Sequence, residues 1–231
     1  MGDVIPESEQ VELYDGPRGK RRIQLRKTPI GIAVLIVAVV VLSALSVSLW
    51  SLADHYHDSK YRSQHVLMSF LWSAVQLVPA GIDDMLDAST RTDHERLSSA
   101  QFAIMNLRAA YAASRSIEVM YPDNSQEAET FVAIGRAASQ LDHVVSHYES
   151  NLMNALVHNV SYEANQTVNS LFHNACLQAG NLSDMLYSAF DQTRDWSADP
   201  YSHVKRLDLT AVRETADQLE SLGIQLAHFL P

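Results

Sequence analysis

The sequence predicts an all-α protein, with a single transmembrane helix near the N-terminus and then an up-and-down bundle of four or five long helices. Three observations lead to this fold class. One run of apolar residues, 30–50, contains no charged side chain, and later segments repeat apolar residues at alternating spacings of three and four. Glycine and proline are scarce, at 8 and 7 of 231 residues. No segment alternates apolar and polar residues as a half-buried strand does.

The apolar run extends from Ile30 to Trp50 and has the length of a membrane span. A helix of this length rises about 30 Å, which is the thickness of the hydrocarbon core of a bilayer. Because lipid offers the backbone no hydrogen-bond partner, the run must form a helix. We therefore predict a disordered tail over 1–27 with a basic juxtamembrane segment, a transmembrane signal-anchor helix over 28–51, and a helical domain over 52–231.

The charges on the two sides of the anchor predict its orientation. Six basic residues precede the apolar run between Arg18 and Lys27, whereas the other flank opens with Asp54 and Asp58. Since basic flanks stay in the cytoplasm, we expect a cytoplasmic N-terminus and an extracytoplasmic domain. Small residues before position 54 leave cleavage after Ala53 as the alternative, but the apolar cores of signal peptides span only about 7–15 residues.

The composition of the domain narrows the classes of partner. Residues 28–231 contain 22 acidic and 11 basic side chains, so their net charge is −11. This charge disfavours nucleic acid and anionic lipid headgroups as partners. The single cysteine, Cys176, excludes a framework of internal disulfides, so an extracytoplasmic domain must be held by its own core or by oligomerisation.

Apolar residues at spacings of three and four predict which helix faces are buried. We expect a first helix outside the membrane, over 52–88, with a buried face, and four further stripes follow it. The first face consists of Leu67, Phe70, Ala74 and Leu77, and the stripes consist of Leu97, Ala100, Ile104, Leu107, Tyr111 and Ser114; Phe131, Ile134, Ala138, Leu141, Val145, Tyr148, Leu152 and Ala155; Val168, Phe172, Ala175, Ala179, Leu182, Leu186 and Ala189; and Val212, Thr215, Leu219, Leu222, Leu226 and Phe229.

Prolines and capping residues predict where these helices end. Pro79, with Gly81 nearby, should kink or end the first helix, and Ser89 or Asp93 should begin the next. Pro122 interrupts the chain before Asp123 or Ser125, either of which can cap the following helix, and Pro200 marks a later break. The buried stripe becomes polar over 159–166, which predicts a turn, with one continuous helix from Ser125 to Arg194 as the alternative.

Histidines and the cysteine give the sharpest metal-site hypothesis. His143 and His147 are four residues apart on one helix face, and His173 and Cys176 are three apart on the next helix, spacings that can chelate zinc. Both histidines of the first pair, and His173, lie outside the predicted buried stripes. Two outward faces rarely converge, so we predict no metal site, no cofactor and no catalytic residue. A thiol- or metal-dependent enzyme is the least favoured function.

Three sequons offer candidate glycosylation sites at Asn159, Asn165 and Asn181. Two of them fall where the buried stripe becomes polar and the chain should be exposed. Ordinary polar residues near a turn are the alternative interpretation.

Together these features predict a membrane-anchored protein that acts by binding at the outer face of a cell membrane. The expected partners are the lipid bilayer and either another protein or a second copy joined through the stripes. An extracytoplasmic sensor of a small ligand or ion is the alternative. The layout is similar to that of the outer helical sensing modules of prokaryotic membrane receptors, but we expect no second apolar span, and no family is assigned.

Overall fold

A computed structural model describes residues 29–190 and 207–230, and the predictions for the 1–27 tail and for Pro200 lie outside these ranges. The described residues are all-α, as predicted. Their five helices are α1 (Pro29–Leu86), α2 (Asp93–Glu118), α3 (Gln126–Val157), α4 (Gln166–Ser188) and α5 (Leu209–Phe229). The chain divides into two units, Met1–Tyr56 and His57–Pro231, which are described separately below.

The described part of the first unit is the N-terminal part of α1. Between Leu42 and Leu52 the large apolar side chains that the structure describes are exposed, and Trp50 is the most exposed of them at 75%. The others are Leu42, Leu45, Val47, Leu49 and Leu52. The predicted anchor is therefore helical from Pro29 onward, and its insertion into a membrane stays a prediction.

The second unit is a helical bundle with a single apolar core. A small void on its axis is lined by side chains from every one of α1 to α5, so the five helices surround a shared centre. Its lining consists of Val75, Val78, Leu107, Ala110, Ile134, Ala138, Leu141, Ala179, Leu182 and Leu219. These side chains belong to a larger apolar core, and burial of that core supplies the main stabilisation of the bundle.

Contacts across the bundle give the order and direction of its helices. An ideal Cβ on Gly81 of α1 would lie 3.0 Å from the Cβ of Ala103, so α1 and α2 approach closely there. Gln101 Nε2 of α2 donates to Glu149 Oε1 of α3 at 3.0 Å. The Thr215 hydroxyl of α5 contacts the sulfur of Met185 in α4, and Cys176 of α4 returns to α1. Each helix therefore runs antiparallel to the preceding one.

One neighbouring pair, α3 and α5, runs parallel. Arg213 of α5 pairs with Glu129 of α3, and Arg136 of α3 pairs with Asp217 and Glu220 further along α5. The ring order is α1, α2, α3, α5, α4. Because a ring of five alternating helices has an odd number of members, one adjacent pair must share a direction.

Side-chain caps begin the four helices that follow α1. Thr92 forms a capping box with Glu95: its hydroxyl accepts from the Glu95 backbone N–H, and the Glu95 carboxylate accepts from the Thr92 backbone N–H. Ser125, Asn165 and Asp208 cap the later helices. The prediction of Ser125 as a cap is confirmed, and so is the prediction that Asp93 begins the next helix, since α2 starts at Asp93. The cap itself is Thr92, because it offers the reciprocal pair of hydrogen bonds.

Pro79 lies inside α1, so the helix does not end there, and of the predicted kink or end only the kink stays a prediction. Proline removes one helical hydrogen bond and crowds the preceding turn. The residues beyond it nonetheless place Ile82 and Met85 in the core, both fully buried. Their burial offsets the loss, and the helix continues to Leu86.

The predicted stripes of α3 and α4 are buried at every position. The stripes of α2 and α5 each fail at one place, since Tyr111 and Phe229 are about half exposed. The face predicted for α1 is wrong at Phe70 and Leu77, which are also exposed. In α1 the buried positions are instead Gln64, Met68, Leu71, Ala74, Val75, Val78, Gly81, Ile82 and Met85.

A turn separates α3 from α4, as predicted from the polar stretch near 159–166. α3 ends at Val157, Asn159 adopts a left-handed backbone with φ 55°, and α4 begins at Gln166. Asparagine tolerates this conformation better than most residues. The alternative of one continuous helix from Ser125 to Arg194 is wrong.

Candidate functional site

An exposed apolar surface of the second unit lies along α1. Six exposed residues follow one another at spacings of three and four, and we call them the α1 stripe. Val66 is 64% exposed and Phe70 is 52% exposed. The α1 stripe consists of Ser63, Val66, Phe70, Ser73, Leu77 and Ala80. Large apolar side chains exposed in a row differ from singly scattered ones, which need no explanation.

No charged residue occurs in α1 between Arg62 and Asp83. Within the described residues, the segment Arg62–Leu86 is long and apolar enough to cross a membrane, and 39% of its most apolar window is buried inside the protein. This result follows from length and composition alone, because one face of the segment belongs to the bundle core while the opposite face carries the α1 stripe. The expectation of no second apolar span stays a prediction.

A groove of about 470 Å³ lies between α1 and α4 beside this stripe. Trp72 and Tyr187 form its aromatic wall, with ring centroids 5.1 Å apart. Gly180 leaves its floor open, because a Cβ placed there would meet nothing within 4 Å. Gln76, Ser183 and Asp184 supply polar groups.

Ser183 is the most unusual polar group in this groove. Ser183 is only 4% exposed, and its hydroxyl makes no hydrogen bond to any residue that the structure describes. Buried hydroxyls normally have a partner, since burying one unpaired costs free energy. The hydroxyl is thus available to a water molecule or to a ligand in the groove.

Arg96 is the centre of a buried polar network at the end of the bundle where α1 meets α2. It is 1% exposed. Its Nε donates to the Met85 carbonyl at 2.9 Å, one terminal nitrogen donates to Asp93 Oδ1 at 2.8 Å and to the Tyr162 carbonyl at 2.9 Å, and the other donates to the Tyr148 hydroxyl at 2.7 Å. Four of its five N–H groups are therefore used.

The partners of Arg96 join four parts of the fold: the end of α1, the start of α2, α3, and the turn before α4. Burial raises the pKa of Tyr148, and the nearby Arg96 charge partly offsets that rise. A polar cleft of about 340 Å³ lies beside this network and includes Arg96 and Glu163. Because its neighbours already occupy the guanidinium, we interpret Arg96 as a structural residue.

Cys176 lies on α4 with its thiol directed toward α1. The sulfur is 3.8 Å from the Pro79 carbonyl oxygen, to which it donates. Burial raises the pKa of the thiol strongly, and the nearby Asp83 carboxylate raises it further. A catalytic thiol needs the opposite shift, so Cys176 gives no support to thiol chemistry.

The predicted metal candidates occupy two helices. His143 is exposed and His147 half-buried on α3, while His173 is exposed and Cys176 buried on α4. Among the residues that the structure describes, no three His, Cys, Asp or Glu side chains are grouped so that they could hold a metal ion.

The three sequon asparagines are all exposed. Asn159 lies in the turn after α3, Asn165 caps α4 with its Oδ1 accepting from the Val168 N–H at 2.9 Å, and Asn181 lies on α4. Their glycosylation stays a prediction.

Sequence reasoning missed both Arg96 and the α1 stripe. Arg96 lies four residues before Ala100, so it continues the buried stripe of α2 backward, and this spacing was the signal that could have identified it. The α1 stripe was missed because α1 is apolar on two faces.

No family model, curated protein or solved structure matches this chain.

Proposed function

We propose that this chain is a membrane-anchored helical bundle that acts by binding another protein, or by assembling, at the outer face of a cell membrane. The observation that carries the proposal is the α1 stripe, an apolar and charge-free helix face that the bundle leaves exposed. Water penalises such a surface, and a protein partner that covers it recovers the free energy.

The proposed location at a membrane is supported by the N-terminal part of α1. The exposed side chains around Leu45, Leu49 and Trp50 need an apolar environment, which a bilayer supplies. The basic residues between Arg18 and Lys27 favour a cytoplasmic N-terminus and therefore an extracytoplasmic bundle.

The proposal is tested by the size and composition of the full chain extracted from membranes in mild detergent. We expect it to migrate as a complex. Phe70→Glu should dissociate the complex, because a carboxylate buried in an apolar interface costs about 2 kcal/mol or more, which is over tenfold in affinity.

Met105→Glu is the matched control, because Met105 is an exposed apolar residue on α2, at 69%. It should leave the complex intact. A parent chain that is strictly monomeric and free of partners would contradict the proposal.

A second candidate function, sensing of a small solute, is favoured by the groove between α1 and α4. Its aromatic wall of Trp72 and Tyr187, the Asp184 carboxylate and the Ser183 hydroxyl suit a small organic cation that also offers a hydrogen-bond acceptor.

The test of this second function is a thermal-shift screen of small amines on the full chain. A solute that binds only the folded state must raise the melting temperature. Gly180→Leu should abolish the shift by filling the groove, whereas Gly180→Ala should retain it. A screen that gives no shift, or a shift that Gly180→Leu leaves unchanged, removes the candidate.

A further inference from the structure

We propose that the groove between α1 and α4 binds an amino alcohol or a related amine, with a charged ammonium group at one end and an uncharged oxygen at the other. This inference rests on the second function proposed above, the sensing of a small solute, and names the class of solute. The groove has a volume of about 470 Å³. Small-molecule sites commonly span about 300–1,000 Å³, so a short aliphatic molecule of this kind fits the space.

The Asp184 carboxylate selects for a positive charge. It is the only Asp, Glu, Lys or Arg side chain on α4, and α1 carries no charge between Arg62 and Asp83. Among the residues that the structure describes, Asp184 has no ion-pair or hydrogen-bond partner. A carboxylate in such uncharged surroundings attracts a cation. The described lining of the groove contains no basic side chain, so it repels a ligand that carries a carboxylate or a phosphate.

The aromatic wall indicates that this cation is organic. Trp72 and Tyr187 have ring centroids 5.1 Å apart, and Tyr187 is 46% exposed, so its ring is accessible from the groove. An ammonium group is attracted to an aromatic face within about 6 Å of its centroid, and its carbon chain packs on the rings. A calcium ion would need six or more oxygen ligands, whereas the described lining offers one carboxylate.

Ser183 selects for an oxygen on the ligand. Serine and threonine hydroxyls in helices often donate to the backbone carbonyl four residues earlier, as those of Ser116, Thr130 and Ser150 do here. The hydroxyl of Ser183 makes no such bond to any described residue, although Ser183 is 96% buried and lines the groove. A ligand oxygen that accepts from this hydroxyl removes the cost of leaving it unpaired. Because Asp184 disfavours a second negative charge, that oxygen should be uncharged.

Four solutes with matched four-carbon chains test the inference on the full chain in mild detergent. They are terminal aminobutanol, butylamine, butanediol and γ-aminobutyrate. A solute that binds only the folded state raises the melting temperature in proportion to its binding free energy. We expect aminobutanol to bind roughly fivefold more tightly than butylamine, the difference that one hydrogen bond makes. Butanediol lacks the charge and γ-aminobutyrate carries a carboxylate, so neither should shift the melting temperature.

Substitutions at the two polar groups should have different signatures. Ser183→Ala should weaken aminobutanol roughly fivefold, to the level of butylamine, and leave butylamine unchanged. Asp184→Asn should weaken both amines by a similar factor and preserve their ratio. Glu214→Gln is the matched control, because Glu214 is an exposed carboxylate on α5 outside the described lining, and it should change neither. Without solute, Ser183→Ala should melt no lower than the parent chain.

The other outcomes separate this inference from the functions proposed above. Amines that bind equally well, γ-aminobutyrate that binds as well as aminobutanol, or a preference that survives Ser183→Ala would overturn the inference and leave solute sensing standing. No shift with any amine would overturn both. If, in addition, Asp184→Asn dissociates the detergent-extracted complex, the cation belongs to a lysine or arginine of the protein partner. None of these results bears on Phe70→Glu, which tests the α1 stripe independently.

Discussion

Arg96 is the residue that joins the most parts of this bundle. Its guanidinium satisfies two backbone carbonyls, those of Met85 and Tyr162, that no other side chain reaches in the described hydrogen bonds. A planar fork of donors suits this task, and the ammonium of lysine cannot reproduce its directions. The residue is therefore a structural tie between helix ends.

Replacing Arg96 should destabilise the protein strongly. We expect Arg96→Ala to lower the free energy of unfolding by about 3 kcal/mol or more, since it leaves buried oxygens unpaired and creates a cavity. Arg96→Lys should lose nearly as much. Denaturant unfolding measures both.

Arg108→Ala is the control for losing a positive charge without losing a buried network, because Arg108 pairs with Asp142 on the surface. Exposed ion pairs contribute about 1 kcal/mol or less. If Arg96→Ala unfolds at the same denaturant concentration as Arg108→Ala, the structural role of Arg96 is refuted.

Cys176 should be chemically inert in the folded protein. Burial raises its pKa above the ordinary value of 9.0, so the neutral thiol persists in the folded state. At pH 8 we expect no alkylation by iodoacetamide without denaturant, and rapid alkylation with it.

The raised pKa of Cys176 makes the free energy of unfolding depend on pH. The contribution of Cys176 is fully present below pH 9 and is lost as the pH rises above it, because the unfolded thiol ionises first. Cys176→Ala should remove this loss. Rapid alkylation of native protein at pH 8 would show instead a reactive thiol and revive the enzyme hypothesis.

At the scale of helices, the sequence predicted α3 and α4 best. Both have one apolar face, so a single register explains their burial. The α2 stripe failed only at Tyr111, which is 44% exposed, while its neighbour Ala110 is buried. The last member of the stripe, Ser114, is buried as predicted.

α1 was assigned the wrong face for a different reason. Apolar residues continue around the helix, so both Phe70 and Leu71 fit a stripe, and spacing alone does not choose between them. Only the packing of the other four helices selects Leu71, which is fully buried. The α1 stripe is the apolar face of α1 that the packing leaves exposed. Because this face is also apolar, sequence reasoning placed two of its members, Phe70 and Leu77, in the core.

Replacing two helical glycines by alanine should change the stability of the fold in opposite directions. Gly180→Ala should stabilise the fold by about 1 kcal/mol, because alanine favours helix and the new Cβ meets open space. Gly81→Ala should destabilise it by about 1–3 kcal/mol, because the new Cβ would lie about 3 Å from the Ala103 backbone and Cβ.

Melting temperatures of the two variants check this pair. If both variants raise the melting temperature, the close approach of α1 to α2 at Gly81 is contradicted. If both lower it, the open floor of the groove at Gly180 is contradicted.

At the scale of the whole molecule, the account depends on an anchored bundle whose α1 stripe is covered by protein. The stripes that were expected to join copies of the chain are instead paired within one chain, along α2 to α5. Oligomerisation through those stripes stays a prediction, and the α1 stripe is an apolar face that the bundle leaves exposed.

The most direct test is the labelling of two single-cysteine variants in intact cells with a membrane-impermeant maleimide. Val66→Cys and Met105→Cys replace apolar residues of matched exposure, 64% and 69%, on α1 and α2. If the bundle is extracytoplasmic and the stripe is covered, Met105→Cys labels readily and Val66→Cys is protected. Equal labelling of the two positions would contradict a covered stripe, and labelling of neither until the cells are opened would place the bundle on the other side of the membrane.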